Sequence, residues 1–387
     1  MAGAAVASVL AVVLRFPELL LLAAALGVPL VVGVGSMCRR PRIDLTLDVT
    51  PAEVSRRDEA RLTVEVRNAG RLTTPALTIG LPSRPQAGFG APVRLAAGES
   101  AQRTTDVHPD RRGYVSFGPV EVAQVDALNL VRRSHRPTFR EDPVLVRPRR
   151  KPVVVPTSGR AGPEDRIEGR VRIDGGVTSA SLRPYVPGDD IRRIHWLASA
   201  RRPDGSLLMR EQVVPLEPSV DVLLDTRCPV GSGEEPFEVA VDAAASIVDS
   251  AVRARLAHSL RTTGDAESRV RHYVDFLTFV EREPEGSGPD GRLASCIHRF
   301  ARDRRGTAAG GVLAVLTPHP TGSADETAMR HAARSFETVL LIRFHEDPAL
   351  PPGLRRVGPC WALDAGSLDA AVRGWNRIIT ATAGPRR

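Results

Sequence analysis

Asp189, Asp190 and His195 fall within seven residues of one another. Two carboxylates and an imidazole can serve near neutral pH as general acid and base or as metal ligands. Arginines flank them, however. Arg183, Arg192 and Arg201 are placed to pair with the acids, and a guanidinium beside a carboxylate holds it ionised as a structural partner rather than free for proton transfer. The same residues therefore support two readings: a turn stapled by ion pairs that presents a binding surface, or a membrane-bound hydrolase that uses Asp189, Asp190 and His195. A second candidate is Asp225, which directly succeeds the apolar run Val220–Leu224. In a parallel sheet that position lies just beyond a strand's carboxyl end, where ligands bind when there are any.

Other chemistries leave no trace. There is no phosphate-cradling Gly-x-Gly-x-x-Gly or Walker A loop, no Gly-x-Ser-x-Gly elbow and no His-Glu-x-x-His, so no cofactor is expected. Cys38, Cys228, Cys296 and Cys360 are widely separated, without the spacing of a zinc site or a disulfide scaffold. The formal charge is +8, yet Lys151 is the only lysine and arginine fills ordinary surface positions throughout. Nothing gathers basic residues with aromatics at stacking spacing, so nucleic acid is not an expected partner.

Periodicity gives the elements that would position these residues. Residues 1–40 read as a membrane anchor of one or two helices. Leu19 to Met37 is free of charge, and 19 residues at ~1.5 Å each reach ~28 Å, enough to span a bilayer, whereas Ala2 to Leu14 reaches only ~20 Å. A cleaved signal peptide competes, but the basic n-region and small-x-small cleavage site are missing. Arg39, Arg40 and Arg42 after the second run place the rest of the chain in the cytoplasm, against the plasma membrane, with lipid as a partner of the N-terminus. Residues 41–150 read as short alternating strands of an immunoglobulin-like β-sandwich, with turns at Asn68-Ala69-Gly70 and Leu81-Pro82-Ser83. Residues 151–218 form a connection that carries the Asp189 segment. Residues 219–387 alternate buried strands (Val220–Leu224, Val312–Leu316, Val339–Ile342) with helices (Phe237–Ala251, Asp325–Phe336, Ser367–Thr382), which predicts a mostly parallel α/β sheet.

In the connection, Pro187-Gly188 predicts a tight turn, Asp189 or Asp190 caps a short helix, and Ile191, Ile194 and Trp196 would anchor that turn on the core. The segment resembles the domain-of-unknown-function family fifty-eight, whose hallmark runs Arg-x-Tyr-x-Pro-Gly-Asp-x-x-Arg-x-Ile-x-Trp and then an Ala-Arg pair. Arg183, Tyr185, Pro187, Gly188, Asp189, Arg192, Ile194, Trp196, Ala200 and Arg201 match it. The chain departs from the family at Asp126-Ala127-Leu128-Asn129-Leu130, where Asp-Pro-Phe-Gly-Leu is usual, and at Leu197, where lysine is common. The resemblance implies an N-terminal membrane hairpin, a β-rich segment and a von Willebrand factor A-like C-terminal half. It also implies an assembly module that works with a MoxR-type AAA+ ATPase and other membrane-complex proteins. Metal-dependent adhesion sites of A domains carry Asp-x-Ser-x-Ser; here Arg227 and Pro229 replace the serines, so the Asp225 site is degenerate and Mg²⁺ is not expected.

Overall fold

Every second residue of Ala60–Asn68 is buried, the period of a strand with one face on a core. The computed structural model describes residues 24–25, 28, 41–80, 91–125, 132–135, 140–141, 143–156, 179–212, 218–228, 233–264, 267–268, 272–284, 291–303 and 311–382. The chain divides into two units, Met1–Arg147 and Pro148–Arg387.

In the first unit, Ile43–Thr50 (β1), Glu53–Ser55 (β2), Ala60–Asn68 (β3), Ala76–Gly80 (β4), Ser100–Val107 (β5), Gly113–Val115 (β6), Glu121–Val125 (β7), Arg132–His135 (β8), Arg140–Glu141 (β9) and Val144–Arg147 (β10) are strands. They pair as β5-β3-β1-β9, β2-β10-β6 and β4-β7-β8. Leu45, Leu62, Val64, Val66, Leu77, Val122 and Val146 meet in one core. Asn68 is fully covered, and its amide donates to the carbonyls of Leu72, Leu95 and Ala96 at 2.8, 3.1 and 3.0 Å while its Oδ1 accepts from Gly70 N–H. One side chain thereby satisfies the reversal after β3.

The second unit opens on an extended strap. Its backbone N–H groups at Arg149, Lys151 and Val153 donate to Asp242, Ser246 and Ser250 on helix α2, Glu235–Arg253. Those polar side chains sit where an amphipathic helix would face water, and the strap covers them instead. Further on, Ser179–Pro184 (β11) pairs antiparallel with Leu208–Gln212 (β12), and between them lie a 3₁₀ turn, Ile191–Arg193, and a single helical turn, Trp196–Ser199 (α1).

The remaining elements are Ser219–Leu224 (β13), Ala257–Thr262 (β14), Glu267–Ser268 (β15), Tyr273–Phe279 (α3), Arg292–Asp303 (α4), Val312–Thr317 (β16), Ser323–Ala332 (α5), Thr338–Phe344 (β17), Gly353–Val357 (β18), Cys360–Ala365 (β19) and Leu368–Thr382 (α6). The sheet runs β15-β14-β13-β16-β17-β19-β18, with the five central strands parallel and an antiparallel strand at each edge. Its strands feed two cores. Val220, Val222, Leu224, Ala314, Leu316 and Ile342 pack with α2 and α6, whereas Leu223, Leu313, Val315, Val339 and Leu341 pack with α4 and α5. Burial on both faces explains why these strands are continuously apolar rather than alternating.

These observations correct the expected fold class. The protein is a mixed α/β structure whose β-rich unit is divided among several small sheets instead of one immunoglobulin-like sandwich. No helix among the described residues is long and apolar enough to cross a membrane. The proposed anchor falls almost wholly outside the described residues, of which only Ala24, Ala25 and Val28 lie before residue 41. The transmembrane anchor and the plasma-membrane location are therefore withdrawn. The first apolar run and the Asp126–Leu130 departure also lie outside the described residues.

Candidate functional site

The hallmark segment is built on the β11–β12 pair. Arg183 leaves β11 opposite Met209, and its guanidinium meets Asp189 in a two-pronged pair: Nη1 donates to Oδ2 at 2.6 Å and Nη2 to Oδ1 at 2.7 Å. Asp189 Oδ2 also accepts from Val186 N–H at 3.0 Å, and Asp189 N–H donates to Val186 O at 3.0 Å. Those two bonds close a β-turn over Pro187-Gly188. Proline fixes φ at the second position, and Gly188 takes φ +105° at the third, the left-handed value the turn requires. Asp190 caps the 3₁₀ turn by accepting from Arg192 N–H at 3.0 Å. Ile194 is buried and bridges to Met209, and Tyr185 N–H donates to Leu207 O.

His195 is a capping residue. Its Nδ1 accepts from Ala198 N–H at 3.2 Å, and its own N–H donates to Leu208 O at 2.7 Å. Ser199 completes the closure: its hydroxyl donates to His195 O at 3.1 Å and accepts from Leu208 N–H at 2.8 Å. Sequence reasoning missed Ser199, although a small hydroxyl residue at the close of one helical turn is a known local hydrogen-bonding position.

The three residues of the hydrolase reading are thus each engaged in separate local closures and form no mutual hydrogen-bonded constellation. Of the three expected arginines, Arg183 alone pairs with these acids among the described residues. Arg192 and Arg201 are exposed, and Arg192 meets Asp190 only through its backbone. A second correction concerns packing. Ile194 reaches the core, but Ile191 and Trp196 do not: they are 61% exposed, alongside Leu182, Val186 and Leu197, which are 43%, 57% and 64% exposed. Five large apolar side chains therefore face outward from a sixteen-residue segment. Trp375, by contrast, is buried, and Trp361 is packed against the sheet core.

Asp225 occupies the other candidate position. The chain runs from β13 to β14 on one side and then to β16 on the other, so Asp225 sits where the sheet's winding reverses. It is fully buried and saturated. Oδ1 accepts from Arg227 Nε at 2.8 Å, Arg227 N–H at 3.2 Å and Thr263 Oγ1 at 3.3 Å; Oδ2 accepts from Arg227 Nη2 and Thr317 Oγ1, both at 2.7 Å. The hydrogen bond to Asp225 holds the Arg227 guanidinium above its ordinary pKa, against the effect of burial. His319 is pushed down by burial, although its Nε2 lies 2.5 Å from Arg227 O. Thr226 extends the cluster to Glu283, which Arg292 holds at 2.8 Å. A guanidinium fills the space in front of the carboxylate, and no group of three or more potential metal ligands occurs among the described residues.

No family model matches the chain, and no curated protein does. Solved structures that are similar over parts of it include a β-glucosidase from Erythrobacter marinus, at 20% identity and TM-score 0.14 over 26% of this chain and 16% of that one. The CARDB domain of a Pyrococcus furiosus protein is similar at 18% identity and TM-score 0.17, over 28% of this chain and 97% of that one. An exo-β-N-acetylglucosaminidase from Vibrio harveyi aligns at 7% identity and TM-score 0.19, over 90% of this chain and 38% of that one. The chain thus spans a small part of the two glycosidases. Likeness at this level carries no argument about fold or activity, and the von Willebrand factor A-like label, which no match supports, is withdrawn.

Proposed function

We propose that this protein is a binding module used in protein assembly, and that residues 182–197 are its contact surface. The observation that carries the reading is the outward exposure of Leu182, Val186, Ile191, Trp196 and Leu197 on a segment whose backbone is closed by the Arg183–Asp189 pair, the Asp190 cap and the Ser199 bridge. Large apolar side chains held outward on a preorganised scaffold are a feature of protein contacts, where tryptophan is among the residues that dominate affinity. The hallmark's resemblance to domain-of-unknown-function family fifty-eight suggests the partner, a MoxR-type AAA+ ATPase, and with it an assembly role.

The test is the affinity of the purified full chain for the MoxR-type ATPase of the same genome, measured by calorimetry. The Trp196→Ala/Leu197→Ala variant should bind at least about thirtyfold more weakly, the effect of losing ~2 kcal/mol at an interface anchor. Unchanged affinity in a variant with unaltered unfolding would reject this surface.

A further inference from the structure

We infer that the partner element docking on residues 182–197 is a protein segment in which apolar side chains are flanked by carboxylates; this rests on the binding-module reading above. Residues 182–204 carry five arginines and three aspartates. The acids are already engaged. Asp189 is neutralised by Arg183, Asp204 lies against Arg202, and Asp190 is turned onto the Arg192 backbone. Arg192 and Arg201 are exposed, and no side chain pairs with either guanidinium among the described residues. Asp190 keeps its charge, but the two exposed guanidinium groups outweigh it, so the net charge available beside the apolar side chains is positive. Guanidinium is weakly hydrated and offers a planar fork that fits a carboxylate with two hydrogen bonds, so it can close an apolar contact without heavy desolvation cost.

A lipid surface fits less well. Asp190 is exposed and directly precedes Ile191, and its carboxylate is fixed by the cap, so inserting Ile191 into hydrocarbon would draw that charge out of water, whereas a protein partner can leave it at the solvated rim. The apolar residues are also distributed over a strand, a β-turn, a 3₁₀ turn and a helical turn, whereas membrane-surface helices gather them on one continuous face.

Fluorescence anisotropy with the full chain provides the test. The probes are a labelled amphipathic peptide of leucine and glutamate, its leucine/glutamine and leucine/lysine analogues, and vesicles of phosphatidylcholine with phosphatidylserine. The leucine/glutamate peptide should bind about tenfold or more tightly than the glutamine analogue. Arg192→Gln/Arg201→Gln should erase that preference, and Trp196→Ala should abolish binding of both peptides. Equal affinity for the peptides, a preference that survives the arginine substitutions, or binding to the vesicles in place of the peptides would each overturn the inference. The module reading is judged separately by the ATPase titration. ATPase binding that depends on Trp196 but tolerates Arg192→Gln/Arg201→Gln would remove the charge inference alone, whereas ATPase binding indifferent to Trp196 would remove both.

Discussion

Replacing Asp189 by asparagine keeps the shape of the side chain but removes the charge that draws both prongs of Arg183. Arg183 is 24% exposed and Asp189 10% exposed, so the pair is only partly screened, and Val186 N–H adds a third hydrogen bond to the same carboxylate. Hydrogen bonds to a charged group contribute ~1.5–3 kcal/mol, and an isolated partly buried guanidinium adds a desolvation penalty. Since asparagine can still accept one bond, a loss of about 2 kcal/mol in local closure is expected. That corresponds to roughly thirtyfold faster amide exchange in peptides covering 183–199. Hydrogen exchange of the full chain reads this loss directly, and the core strands β13 and β16 should keep their protection. A double-mutant cycle with Arg183→Gln should return a coupling of about 1 kcal/mol or more. Exchange within twofold of wild type, or additive effects in the cycle, would refute the idea that this pair holds the turn.

The geometry also sets four other outcomes. Arg227→Met should destabilise the second unit by ~3 kcal/mol in urea unfolding, because it strands the buried Asp225 carboxylate, and adding Asp225→Asn should restore part of the loss. Gly366→Ala should abolish stable folding of that unit, since its Cβ would stand 1.7 Å from Asp347 O; near-normal solubility and unfolding would contradict the close approach. Burial opposes ionisation of Asp249 but is outweighed by hydrogen bonds from Tyr273 and Arg253 and the Arg150 charge, and Asp364 is likewise held down by Arg343 and His345. Their depressed folded pKa values contribute stability that is present above the unfolded carboxylate range near ~4 and lost as pH falls through the folded values, so Asp249→Asn should flatten the acid limb of a melting-temperature profile. Tyr273, raised to about 12 chiefly by burial and then by Asp249, should remain protonated in an absorbance titration to pH ~10.5, and a tyrosinate signal lost in Tyr273→Phe below that pH would contradict this.

The legibility of the sequence varied with the physical origin of each feature. Continuous apolar runs marked β13, β16 and β17 because strands covered on both faces need no polar alternation. The stripe in α2 was visible because Phe237, Ala240, Ala244, Ile247, Val248 and Ala251 recur at helical spacing, and the helices at 323–332 and 368–382 fell within a few residues of the expected bounds. Helix α4 was missed: its polar residues, Arg292, Ser295, His298, Arg299 and Arg302, interrupt the apolar run although Leu293, Cys296, Ile297 and Phe300 keep helical spacing. The edge strands β15 and β18 are short, or carry exposed arginines such as Arg355 and Arg356. In the candidate site, the ion pair and the turn were readable from Arg183, Pro187-Gly188 and Asp189. The direction of Ile191 and Trp196 was not. Local chemistry favours burying such side chains, and only the path of the turn, fixed by hydrogen bonds to Leu207 and to Leu208 at the start of β12, points them outward.

Site-specific photo-crosslinking at position 196 tests the central claim most directly. With a photoreactive residue replacing Trp196, the full chain mixed with the MoxR-type ATPase should form a defined adduct whose linked peptide maps to one surface of the ATPase. The same residue at Tyr114, an equally exposed aromatic of the first unit, should give none. Adducts at both positions, or at neither while the two proteins still bind, would contradict the assignment of residues 182–197 as the contact surface.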